Sequence, residues 1–151
     1  MLYKKLFIFL CLIFISNLVM ANDSQRHKTV DGMSIYLGII PAQLIRGHEK
    51  MHADGNNIKN KAHTYHVLIA IFDNNSKKRI TDAKLKATVI PLGMKGKIKN
   101  LEPMRGDLLS YGNYFSMPEL TLYQIIIEIQ RKDKKVKSVV EFTFKHEFSI
   151  K

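Results

Sequence analysis

Cysteine is all but missing from this 151-residue sequence: there is one, Cys11, near the start. One cysteine excludes an internal disulfide framework, and its place in an apolar N-terminal run removes it from any later site. Long apolar runs are missing too. The longest, Leu6 to Ile15, is followed by Ser16 and Asn17, short of the ~20 residues needed to cross a bilayer. The rest of the chain has no extended helical period, no heptads and no internal repeat. Coiled coils, helical bundles and solenoids are thereby excluded. Catalytic signatures are absent as well: no G-x-S-x-G elbow, no H-E-x-x-H, no phosphate-binding glycine loop and no cysteine nucleophile. Paper combinations such as Asp107, Tyr111 and Ser110 occur in any chain of this size, and the expectation is a non-enzyme.

What is present begins with an export signal. Lys4 and Lys5 give a positive front, the apolar run follows, and Val19-Met20-Ala21 closes it with a signal-peptidase pattern. Residues 1–21 are therefore read as a cleaved signal peptide, 22–31 as a flexible N-terminus and 32–151 as one domain. The expected address is the periplasm, with a retained membrane anchor as the alternative and no other contact with the membrane. Cleavage takes Cys11 with it. It also takes Lys4 and Lys5, so the formal charge falls from +11 to +9, which still attracts polyanions.

From Gly32 onward the pattern has the period of strands. Met33 to Ile40 is β-rich and ends at Pro41. Thr64 to Phe72 is apolar on both faces, as a central strand covered on both sides would be. Asp73 to Lys78 supplies turn chemistry. Ala83, Leu85, Ala87 and Val89 alternate with Lys84, Lys86 and Thr88, a half-buried strand with a basic outer face. Shorter candidates are Lys97 to Leu101 and Leu108 to Phe115, and Leu122 to Gln130 with Val136 to Phe148 makes a hairpin. About seven short strands in a domain of this size predict an all-β, immunoglobulin-like antiparallel β-sandwich, with a small closed barrel as the competing architecture.

The segments Thr81-Asp82-Ala83-Lys84-Leu85 and Ser110-Tyr111-Gly112-Asn113-Tyr114-Phe115-Ser116-Met117, with the loop Pro91-Leu92-Gly93-Met94-Lys95-Gly96 between them, resemble a poorly characterised family of exported proteobacterial proteins. More distantly they resemble the YtkA-like and FixH-like domains. The resemblance runs from about Gly32 to Phe144. It extends to a His- and Met-containing stretch, Gly47-His48-Glu49-Lys50-Met51-His52-Ala53-Asp54-Gly55, and to the His63-Thr64-Tyr65-His66 opening of the central strand. The resemblance implies an association with copper handling or respiratory-oxidase maturation.

The residues themselves point the same way. Of six histidines, His48, His52, His63 and His66 fall within one stretch that also holds Met51. Imidazole binds copper, zinc and nickel, and thioether sulfur selects reduced copper. With no thiolate left, a copper site would have to use histidine and methionine. The structural alternative is that loop histidines are solvated, and that alternation sends His63 and His66 to opposite faces. His66, sharing a face with Leu68 and Ala70, has the stronger structural reading. Met94, Met104 and Met117 are a second candidate set, with core filling as the alternative.

The other candidate surface is basic: Arg131, Lys132, Lys134, Lys135 and Lys137, on a predicted hairpin tip, and a second group from Lys77 to Lys99. The sequence thus gives two expectations. One is a periplasmic copper-handling accessory or chaperone that passes metal to a receiving protein. The other is a sandwich module docking to a partner protein or an anionic envelope component. Lysines on outer strand faces also simply suppress aggregation. Nucleic-acid binding is disfavoured by the export signal, and the oligomeric state is left open.

Overall fold

A computed structural model describes residues 25–45, 62–104, 110–118 and 120–146. The export signal, and with it the expected cleavage, lies outside them. The described residues form eight strands and no α-helix: β1 (His27–Val30), β2 (Met33–Pro41), β3 (Thr64–Asp73), β4 (Lys84–Pro91), β5 (Lys97–Pro103), β6 (Tyr111–Ser116), β7 (Leu122–Gln130) and β8 (Ser138–Lys145), with one 3-10 turn, Ala42–Leu44, after β2. No helix among the described residues is long and apolar enough to cross a membrane.

Every pairing is antiparallel, and the order is β1-β2-β3-β6-β5-β4-β7-β8. From β2 to β8 this is the immunoglobulin arrangement: four strands of one layer, then three of the other. The layers join through β5. Residues Lys97 to Leu101 pair with β4, and Glu102 and Pro103 pair with Gly112 and Tyr111 of β6. The sandwich is also drawn together at its opposite seam. There the Ser138 hydroxyl donates to Asp31 Oδ2 at 2.6 Å, and the Arg26 guanidinium lies 5.3 Å from the Phe144 ring centre. The sandwich expectation holds, and near-closure gives it a barrel-like rim.

Eight strands replace the expected seven because His27–Val30, assigned from sequence to the flexible N-terminus, is a strand. Its cause is the dipeptide Asp31-Gly32, whose φ values of 47° and 74° make a two-residue hairpin turn of the kind that matches strand twist. The turn sets the register Val30↔Met33 through His27↔Tyr36.

Period-2 alternation then builds one core. Met33, Ile35 and Leu37 of β2, Val67, Ile69 and Ile71 of β3, and Tyr111 and Phe115 of β6 face Leu85, Ala87 and Val89 of β4, Tyr123 to Ile129 at odd positions of β7, and Val140 and Phe142 of β8. Tyr111 also ties this core to the β3–β4 connection. Its hydroxyl accepts from the Ala83 N–H at 2.9 Å and donates to the Ile80 carbonyl at 3.3 Å. Burial pushes that phenol's pKa up, opposed by the Ala83 bond and reinforced by Asp82. The aromatic group Tyr111 to Phe115 is therefore a packing element: Tyr111, Tyr114 and Phe115 are all buried.

Candidate functional site

On β3, alternation sends Tyr65, Val67, Ile69 and Ile71 inward and His66, Leu68, Ala70 and Phe72 to the outer face of the first layer. Register places Ile40, His66 and Tyr114 in one row across that face, and Gly38, Leu68 and Gly112 in the next. An outward histidine would ordinarily be wet, yet His66 is 1% exposed. The Tyr114 ring stacks on it at 4.4 Å and 16°. Tyr114 in turn clusters with Ala42 and Ile45, from the 3-10 turn and the residue that follows it. Space for the imidazole comes from Gly112, where a Cβ would lie 2.6 Å from His66 Nε2 and 2.9 Å from Leu68 Cδ2.

His63 behaves differently. It is exposed, in the left-handed region at φ 60°, and its carbonyl accepts the Met117 N–H at 2.8 Å. His63 is thus outside β3 and in solvent, where the alternation argument does not reach it, while His66 is buried on the strand's outer face. His48, Met51 and His52 lie outside the described residues. Ile45, the last described residue before them in sequence, belongs to the Tyr114 cluster that covers His66. Among the described residues no three histidine, cysteine, aspartate or glutamate side chains gather into a metal-holding group.

Sequence reasoning passed over one pair at the same end of the sandwich. His146, just past β8, is nearly buried, and its Nε2 lies 2.7 Å from the Tyr65 hydroxyl. Its ring packs against Phe144 at 6.1 Å and Tyr123 at 6.3 Å. Burial pushes the Tyr65 phenol's pKa up. The two residues are 81 positions apart, and the packing of the first layer's inner face against the end of β8 brings them together; no local signal shows it. Tyr65 points inward where His66 points outward, so the two imidazoles lie on opposite sides of the first layer.

The methionine set does not assemble. Met117 is in the core, Met104 is buried outside the main cluster, and Met94 is 55% exposed at the β4–β5 turn. In the basic hairpin, Arg131 contacts Asp133 at 2.9 Å and Asp73 at 3.8 Å, and Lys137 bonds Glu128 at 3.0 Å. Lys132, Lys134 and Lys135 are exposed at the tip between them.

The sequence matches no protein-family model and no curated protein. The fold does match solved structures. FetP from uropathogenic Escherichia coli strain F11, in the form isolated after recombinant expression in the periplasm, superposes with a TM-score of 0.63 at 16% identity, over 80% of this chain and 92% of that one. A copper-bound glutamate-to-glutamine variant of Campylobacter jejuni P19 gives 0.61 at 15%, over 79% and 92%. A DUF4426 family protein from Pseudomonas aeruginosa PAO1 gives 0.60 at 11%, over 84% and 98%. Identities this low establish a shared fold and nothing finer. The likeness to YtkA-like and FixH-like domains rests on the sequence motifs alone.

Proposed function

We propose that this chain is an exported, non-catalytic protein that binds copper as cargo through histidine and methionine and passes it to a receiving protein. The observation that carries the reading is the donor set itself: His48, Met51, His52 and His63 fall within one stretch of sequence, next to the packed base that His66 makes with Tyr114. His48, Met51, His52 and the exposed His63 serve as ligands in this reading. His66, buried by Tyr114 and Gly112, serves mainly to fix the base. A donor set of imidazole and thioether without thiolate suits reduced copper, and FetP is a neighbour in fold that also has a copper-bound variant structure, at 12% identity.

The test is a competition titration of the exported protein with Cu(I) and Cu(II). Binding tighter than about micromolar is expected, with a loss of roughly tenfold or more in His48→Ala/His52→Ala. Weaker binding, or a double variant that binds as well as the parent, ends the proposal. The exposed Lys132, Lys134 and Lys135 favour a second reading, docking to an anionic envelope surface or an acidic partner. Retention on envelope fractions that ignores salt and survives loss of these lysines counts against it.

A further inference from the structure

The end of the sandwich where β4 finishes and β7 begins holds a group of large apolar side chains in water. Leu92 is 68% exposed, Met94 55%, Leu120 42% and Leu122 40%. Two hydrogen bonds set this tip. The Leu92 N–H donates to the Leu122 carbonyl at 2.9 Å, and the Met94 N–H donates back to the Pro91 carbonyl at 3.0 Å. The second bond closes a turn in which Gly93, at φ 75°, takes the left-handed value that a type II turn requires at its third position. Leu92 is thereby placed at the outer corner. Gly96 then lies against the sheet, where a Cβ would come 2.7 Å from Ile90 Cγ1 and 3.1 Å from Thr88 Cγ2. The turn is seated on its own strand, and its apolar residues are presented outward. One exposed leucine is ordinary; four neighbours at one tip mark an interaction surface.

The charge beside the tip is predominantly positive. Lys95 and Lys97 follow it at once and are exposed, and Lys145 pairs with Leu122 across β7 and β8. Glu141 stands two rows back, paired with Ile126, and Glu119 lies outside the described residues. A second copy meeting the same tip would set lysine against lysine. An anionic bilayer is matched instead: aliphatic side chains on a projecting turn enter the acyl boundary, and the ammonium groups behind them stay among the headgroups.

We infer that the turn 91–97 docks this protein peripherally on an anionic lipid bilayer, with Leu92 and Met94 immersed and Lys95 and Lys97 at the headgroups. The contact lies at the opposite end of the sandwich from Lys132, Lys134 and Lys135. It depends on neither the copper reading nor docking through those lysines, and it replaces the expectation of no membrane contact beyond the export signal.

The chain has no tryptophan, so Leu92→Trp supplies a reporter at the site. With the exported protein and vesicles of phosphatidylglycerol and phosphatidylcholine, its emission is expected to move to the blue and to be quenched by lipids brominated in the acyl chain. Val136→Trp, at the opposite tip, should keep the emission it has in buffer. Co-sedimentation of the parent chain with the same vesicles should fall at least about tenfold in Leu92→Asp/Met94→Asp. It should fall roughly tenfold in Lys95→Gln/Lys97→Gln, or on pure phosphatidylcholine. Lys132→Gln/Lys134→Gln/Lys135→Gln should bind within about twofold of the parent, which separates this contact from docking through the hairpin. All these side chains are exposed, and the variants should keep the parent's thermal midpoint. No spectral shift in Leu92→Trp, binding that survives Leu92→Asp/Met94→Asp, or binding lost only with the hairpin lysines overturns the assignment. So does a concentration-dependent dimer that Leu92→Asp dissolves, which would give the tip to a second copy.

Discussion

The two outer faces of this sandwich are written in the same period and come out unlike. On the second layer, Lys84, Lys86 and Thr88 of β4, Gln124 and Glu128 of β7, and Glu141 and Thr143 of β8 point outward and stay at least partly in water. Their one described ion pair, Lys137 with Glu128, lies in solvent. On the first layer the outward positions of β2, β3 and β6 carry rings and glycines: Tyr36, Gly38, His66, Phe72, Gly112 and Tyr114. One end of that face is sealed by the turn Ala42–Leu44 and Ile45, and the other carries an open depression at Ala70, lined also by Tyr36 and Phe72. Alternation therefore separates inside from outside but does not grade the outsides. What grades them is whether a connecting segment folds back over the sheet.

The sharpest way to break this contrast is to remove the seal. Tyr114→Ala takes away the ring that covers His66 and is expected to cost about 3–5 kcal/mol in urea unfolding, as for other large aromatic truncations. A loss below about 1 kcal/mol would show that the outer face behaves like its counterpart. A step smaller is Gly112→Val, which forces branched carbon atoms against the His66 ring and Leu68. Because the ring is locked by its stack, the expected cost is about 1–3 kcal/mol. The matched change Thr88→Val on the second layer should stay within about 0.5 kcal/mol.

The smallest effect belongs to Glu128→Gln, which should lower the thermal midpoint at pH 7 only slightly, because the pair it breaks is exposed. The Lys137 hydrogen bond and charge, with Lys86 nearby, hold the Glu128 carboxyl below its usual range. A depressed folded pKa gives a contribution that is complete above the unfolded value and is lost as pH falls through the lower folded one. Asp73, lowered first by its Ser76 bonds, then by Asn75 and Arg131, has the same sign. Midpoints recorded against pH should therefore fall on the acid side, less steeply in Glu128→Gln and Asp73→Asn. High salt should flatten the Glu128 share, since that pair is exposed.

Much of this architecture is legible in the residues. The alternation of Val67, Ile69 and Ile71, and of Leu85, Ala87 and Val89, fixes strands and faces because one-residue slips would put every one of them in water. The β7–β8 hairpin follows from two alternating runs and a charged turn. β1 escapes the sequence pattern because its four residues, two of them His27 and Lys28, carry little apolar signal; its marker is the Asp31-Gly32 turn. The copper candidates were legible as letters only. That His66 is buried depends on Tyr114, 48 positions on, and on a glycine whose value lies in the side chain it lacks. The Tyr65–His146 pair and the depression at Ala70 depend likewise on register between distant strands, which a single sequence does not print.

The seam between β1 and β8 joins Asp31 to Ser138, 107 positions apart. Contacts of that span are the costliest to reach for a searching chain and weigh most on folding speed. No ladder joins β1 to β8, so the outer side of β1 keeps a row of peptide groups without strand partners even in the finished sheet, the kind of template on which neighbouring chains pair wrongly. The side-chain ties across this seam, Ser138 to Asp31 and Arg26 to Phe144, are thus all that guards that edge, and cutting them would leave β1 to whichever strand meets it first.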